Sequence, residues 1–193
     1  METRPFNPEN IDEVVKITTT VWDFDDSPEF TRVFSNYLVR YNYYSPKYSF
    51  QAEDEDGLQA VAFTWMPGEE NDAEKWFQEQ LVGVNVEVRG YLLRSASYMK
   101  RTDEELLTKM EPNSAKLSFF ISRKPGCGTL LLHHLTEKLR QQGIKWLYLW
   151  TDTWCNWQYY PRHGFEQIGQ GHLSEFSSEG DEYYYFLYRK RIV

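Results

Sequence analysis

At 193 residues, 41% hydrophobic and 26% charged, the chain has the size and composition of one globular domain and can bury a core without disulfides or metals. A net charge of −8 and a pI of about 5.1 argue against a phosphate-backbone partner, so no nucleic acid is expected, and they favour a cationic one. Cys127 and Cys155 are too few for a disulfide framework and lie in no metal-ligand cluster with His; the N-terminal METRPFNPENIDEVV has no apolar signal core, and no apolar run could span a bilayer. The expectation is a cytoplasmic protein with no metal and no membrane partner.

In chain order, Pro8 followed by Glu9, Asp12 and Glu13 predicts a helix start, continued by Ile11, Val14, Val15 and Ile17. A second helix is expected over 29–40, with Phe30, Val33, Phe34, Tyr37 and Leu38 on one face, and Ser45-Pro46 as a breaker. Strands are expected over 48–53 and 58–65, joined through Asp54-Glu55-Asp56-Gly57 as a hairpin. Residues 69–110 read as a charged helical insertion, mostly solvated, carrying Trp76, Phe77, Tyr91 and Tyr98. Leu117–Ser122 is an apolar strand, Arg123–Gly128 a glycine-rich loop, and Thr129–Gln142 a helix with Leu131, Leu135 and Leu139 four apart. Gly143 ends that helix. Lys145–Trp150 is a second apolar strand, expected to lie parallel to the first. A short helix over 156–163 and strands over 165–168 and 182–189 complete the reading.

Strand, glycine loop and helix in succession form a phosphate cradle. Backbone N–H groups converge in the loop, and the helix N-terminus adds partial positive charge. The dinucleotide fingerprint lacks its third glycine here, and the triphosphate loop lacks its Gly-Lys-Ser/Thr ending. Arg123-Lys124-Pro125-Gly126-Cys127-Gly128 instead resembles the R/Q-x-x-G-x-G/A signature of the GNAT superfamily of N-acetyltransferases. The strand after the helix ends in Trp150-Thr151-Asp152, followed by Asn156 and by Tyr160-Pro161-Arg162-His163-Gly164-Phe165. That order and spacing also resemble the family, so the likeness covers 117–165, about a quarter of the chain. Two departures stand out. Ile121 and Ser122 run almost straight into Arg123 where many members have a longer turn, and Pro125 has no N–H to give a phosphate.

The resemblance implies an α/β (α+β) fold: a central mixed sheet flanked by helices, formed by a single domain over 1–193, with the helical insertion ahead of the cofactor-binding strand. It implies acetyl transfer from acetyl-CoA, as co-substrate, to a primary amine by direct attack on the thioester. Arg123, Lys124, Gly126, Cys127, Gly128 and Thr129 would hold the pyrophosphate of coenzyme A. Backbone of Phe119, Phe120 and Ile121 would meet the thioester oxygen, and Asn156 the pantetheine or adenosine side. Tyr160 takes the place of the acid that protonates the departing thiolate. No general base follows from the sequence; Asp152 is a candidate. Packing is the expectation for Cys127 and Cys155, and a surface or packed position for His133 and His134. The acceptor, a small molecule or a peptide amine, stays open, as does a longer acyl group, and exposed aromatics suit a homodimer. A non-catalytic CoA-binding module and an aromatic-pocket binding protein are the alternatives, because fold does not fix function.

Overall fold

The protein is described here from a computed structural model covering residues 1–22 and 27–192. Seven strands form one sheet: β1 (Glu2–Pro5), β2 (Phe50–Asp54), β3 (Gly57–Trp65), β4 (Ser114–Ser122), β5 (Trp146–Asp152), β6 (Glu166–His172) and β7 (Tyr184–Arg191), in the spatial order β1-β2-β3-β4-β5-β7-β6. Every adjacent pair is antiparallel except β4 and β5, which run parallel, as expected for two apolar strands separated by a helix.

The helices are α1 (Ile11–Val21), α2 (Pro28–Asn42), α3 (Ala73–Gln80), α4 (Val86–Lys109), α5 (Cys127–Gln141) and α6 (Tyr159–Arg162). Helix α5 covers one face of the sheet. Its Leu131, Leu132, Leu135 and Leu139 pack on Ala52, Ala60, Ala62, Ala115 and Leu117, and on Leu147 and Leu149. The alanines let the helix lie close, and each buried leucine contributes about 1.5–3 kcal/mol. The other face carries α1 and α2, through Val14, Ile17 and Val39 against Leu58, Val61, Phe63, Phe119 and Ile121. On that same face Leu106 of α4 meets Tyr148 and Leu187.

Several boundaries moved for physical reasons. Strand β1 was not foreseen: ETRP is a polar edge strand without an apolar alternation, held by pairing with β2. Tyr48 lies in a 3-10 turn over Pro46–Tyr48 rather than in a strand, because Ser45 caps that turn and Pro46 opens it. Strand β4 begins three residues before the apolar run, because Lys116 is buried despite its charge. The insertion is more than a solvated pair: Leu92, Ala96, Tyr98, Met99 and Leu106 of α4 are buried, and Phe30, Tyr37, Phe77, Leu92 and Met99 join α2, α3 and α4 in a second core. Apart from Asp103, its charges sit at exposed or half-exposed positions, and that masked the inner apolar stripe.

Candidate active site at the split between two parallel strands

The parallel ladder between β4 and β5 is short. It joins Ser114 to Trp146, Ala115 to Leu147 and Lys116 to Tyr148, and goes no further. Beyond it β4 continues to Ser122 beside β3 only, and β5 continues to Asp152 beside β7 only. The sheet is therefore split from residue 117 onward on one side and 149 onward on the other. A bulge sits at the mouth of the split: Phe63 pairs with Phe119 but Thr64 with Leu117, leaving Ser118 as the extra residue. Arg123 N–H donates to the Gln59 carbonyl across the β3 edge at 3.0 Å. Strand alternation then aims the amides of Phe120 and Ser122 at the split edge, and those of Phe119 and Ile121 at β3. Of the three residues expected to offer backbone there, Phe120 is the one whose N–H points to the split.

The glycine loop closes the far end of β4. Gly126 caps α5 with φ +86°, a conformation that L side chains rarely adopt, so glycine is required there. Gly128 sits where space is tight: an added Cβ would lie 3.1 Å from the Phe120 ring and 3.3 Å from Ser122 Cβ, so those side chains would have to give. The first intrahelical bond of α5 runs from Leu130 N–H to the Gly126 carbonyl. Gly128 and Thr129 thus carry amides with no intrahelical acceptor, at the positive end of the helix. The Cys127 amide is already bonded to the Lys124 carbonyl, and its thiol is buried in the α5 core, where burial pushes its pKa up.

The two loop cations differ. Lys124 Nζ is 2.6 Å from Asp54, at the end of β2, and 3.7 Å from Asp56 in the turn to β3. That hydrogen bond pulls the Asp54 carboxyl below its usual value. Arg123 is exposed and has no side-chain partner among the described residues. Thr129 Oγ1 lies 3.3 Å from the Tyr159 hydroxyl and 3.2 Å from His163 Nε2. His163 Nδ1 is 2.8 Å from the Tyr159 carbonyl, which makes Nδ1 the donor and Nε2 the acceptor in neutral imidazole. This cluster fastens α6 to the start of α5, and His163 in it was not singled out from the sequence.

Tyr160, on α6, packs its ring on Phe165 and Tyr188 at 5.5 and 5.7 Å. Its hydroxyl has no hydrogen-bond partner among the described residues. Burial, with Cys155, Tyr159 and Asp152 nearby, pushes the phenol well above its ordinary value of 10, so it stays protonated. Asn156 is exposed, in the turn between β5 and α6, where its carbonyl accepts from Tyr159 N–H at 3.0 Å. Asp152 is committed to structure: Oδ1 accepts the amides of Trp154 and Cys155, and Oδ2 accepts the Tyr98 hydroxyl at 2.6 Å. His134 is half-packed against Phe50, with Nδ1 3.2 Å from Thr3.

At the apex of the split, on the face away from α5, lies a buried ion pair. Lys116 Nζ is 2.7 Å from Asp103 of α4, with the side chains 3% and 7% exposed. Asp103 also accepts from Tyr41 Oη at 2.9 Å and Trp150 Nε1 at 2.6 Å. One carboxylate thus ties together the last paired residue of β4, a residue of β5 just past the ladder, and α2. A cavity of about 180 Å³ opens over this pair, lined by Tyr41, Tyr44, Trp65, Glu69, Lys100, Asp103, Glu104, Leu107 and Lys116. None of these is a site residue by sequence, since they come from α2, β3, α4, β4 and the loops after α2 and β3 and share no motif. A lysine directly before LSFF was the available signal, because a buried ammonium requires a partner.

No family model matches the sequence, and no curated protein does. Solved structures do match along the whole chain. The ribosomal-protein-S18-alanine N-acetyltransferase from Escherichia coli is 14% identical, with a TM-score of 0.58, over 99% of this chain and 93% of its own. The aminoglycoside 6'-N-acetyltransferase from Enterococcus faecium is 13% identical, with a TM-score of 0.58, over 100% of this chain and 98% of its own. An aminoglycoside 6'-N-acetyltransferase complexed with coenzyme A gives the same three figures of 13%, 0.58 and 98%. A likeness of this kind establishes the fold: the chain has the fold of the GNAT N-acetyltransferases, with a mixed sheet and the helical insertion ahead of β4.

Proposed function

We propose that, on this fold, the protein transfers an acetyl group from acetyl-CoA to a primary amine. The observation that carries the reading is the split itself. A gap between two parallel strands ends at one end in a glycine-capped helix start with two uncommitted amides, and at the other in a polar cavity. An elongated ligand with a phosphate at one end and a reactive group at the other suits that shape.

Acetyl-CoA would supply a thioester whose carbonyl carbon is attacked by the amine as the carbon–sulfur bond breaks. The chain's residues account for the rest. The Gly128 and Thr129 amides and Arg123 bind the pyrophosphate, with Lys124 acting at reduced strength because Asp54 holds it. Gly126, Cys127 and Gly128 shape the turn, and the Cys127 side chain anchors it in the core. Phe120 N–H donates to the thioester oxygen as negative charge gathers there, while Phe119 and Ile121 hold the strand against α1 and α2. Asn156 borders the pantetheine path. Tyr160 gives a proton to the departing thiolate, and its raised pKa keeps that proton available. An amine of pKa about 10.4 arrives mostly protonated, so a base must act. A chain of water molecules would carry that proton out to solvent.

The test is calorimetry with acetyl-CoA and CoA on the wild-type protein and on Arg123→Ala, followed by detection of free thiol with an amine panel. Micromolar binding that weakens at least tenfold in the variant supports the reading. No binding at millimolar acetyl-CoA overturns it. Protein lysines, small amines and antibiotic amines are all acceptor candidates at this level.

A further inference from the structure

The cavity beside the apex of the split has a charge balance that discriminates between amines. Its lining holds Glu69, Asp103 and Glu104 against Lys100 and Lys116. Lys116 is neutralised by Asp103, and Lys100 by Glu74 of α3. Glu69 and Glu104 have no cationic partner among the described residues, so two negative charges face the space uncompensated. Its walls add Tyr41, Tyr44 and Trp65, rings that attract a cation through their faces. Lys116 already stands 6.0 Å over the Trp65 ring, so an ammonium is accommodated against that wall. The lysine is 97% withdrawn from solvent and has one acceptor among the described residues, which leaves donors over for a polar occupant.

Depth orders these groups. Asp103 and Lys116 form the buried floor next to the last β4–β5 pair, whereas Glu104, Lys100 and Leu107 stand at the exposed or half-exposed rim. A compact acceptor entering past the rim would bring one amine to the floor, beside the split. Its tail would remain between Glu69 and Glu104. A carboxylate in that tail meets two like charges, which is penalised; a second ammonium meets two opposite ones in a partly desolvated space.

We propose that the acceptor is a compact amine carrying a second positive charge, a diamine or a short polyamine, held at its far end by Glu69 and Glu104. This rests on the acetyltransfer reading and adds the substrate class to it.

Three probes that share a four-carbon skeleton vary the charge of the tail: butane-1,4-diamine, butylamine and 4-aminobutanoate. Each is tested with saturating acetyl-CoA by thiol release, after calorimetry on the same preparation has established acetyl-CoA binding. The expected order of kcat/KM is diamine, butylamine, aminobutanoate, with at least a tenfold span from first to last. In the Glu69→Gln, Glu104→Gln double variant the span shrinks at least fivefold, and acetyl-CoA affinity is unchanged. Glu69→Gln keeps an acceptor for the Met66 amide, which Glu69 accepts at 2.8 Å, and circular dichroism checks the fold. Equal or better use of aminobutanoate overturns the proposal, as does a preference that survives in the variant. Acetyl-CoA binding with none of the three probes acetylated also overturns it, and leaves the cofactor assignment standing. Absence of acetyl-CoA binding removes both.

Discussion

The two sides of the split are built by different means. On the α5 side the machinery is contiguous in sequence: strand, loop and helix run from Ser114 to Gln141, and backbone amides supply most of the polar groups. On the α4 side it is assembled from four separate elements, and side chains supply everything: Tyr41 from α2, Trp65 from β3, Asp103 from α4 and Lys116 from β4. Backbone geometry is dictated by a few glycines and a helix start. It leaves a pattern that a single sequence displays. A side-chain cluster drawn from distant segments depends on how those segments pack, and leaves none.

Substitutions can break this comparison, and the largest effect belongs to the α4 side. Asp103→Ala leaves the Lys116 ammonium buried without a counter-charge and frees Tyr41 and Trp150. A loss of about 3–5 kcal/mol in chemical denaturation is expected. Replacing both partners by apolar residues, as in Asp103→Leu with Lys116→Met, should recover most of that loss. If the double variant is as unstable as the single one, the pair is not an isolated ionic lock. Next comes Tyr160→Phe, which under the proposed role lowers kcat about 100-fold with CoA affinity unchanged. Because burial raises the Tyr160 pKa, the group is protonated, and competent as an acid, throughout the neutral and mildly alkaline range. The wild-type rate should therefore show no alkaline limb from this group below about pH 10. A limb near pH 8 that disappears in Tyr160→Phe would contradict the assignment.

Smaller effects test the α5 side. Gly126→Ala meets no atom within 4 Å but forces a φ of +86° on an L residue, at about 1–2 kcal/mol of stability. Gly128→Ala, at an ordinary φ, should act through crowding of Phe120 and Ser122, so Phe120→Leu beside it should relieve the defect. The smallest change is a gain. Asp54→Asn releases Lys124 toward the phosphate region, and CoA affinity should rise roughly two- to fivefold at low salt, with less effect at high salt.

How much of this was legible follows the same division. LSFFIS, RKPGCG and the Leu131–Leu135–Leu139 stripe gave the β4–α5 unit to within a few residues, because period and punctuation are local. The parallel pairing of β4 with β5 was expected, but its brevity was not: a ladder that stops after three residues looks the same in sequence as one that runs on. Asp152 looked like a base from its place at a strand end, yet both its oxygens are occupied by the turn that follows and by Tyr98, fifty-four residues away. Lys116 carries no local mark of a site, because its partner Asp103 lies thirteen residues upstream on another element.

The shortness of the β4–β5 ladder also has a mechanical consequence. Within the sheet, two rafts, β1 to β4 and β5 to β7, share three residue pairs, with one carboxylate at the seam and α5 packed across both. A molecule lodged in the opening and touching both rafts becomes an additional stitch. At a free concentration one hundred times its Kd, such a ligand adds about 2.7 kcal/mol to the stability of the folded chain. Amide exchange along Leu147–Leu149 should slow with it, and the thermal midpoint should rise as the opening is occupied.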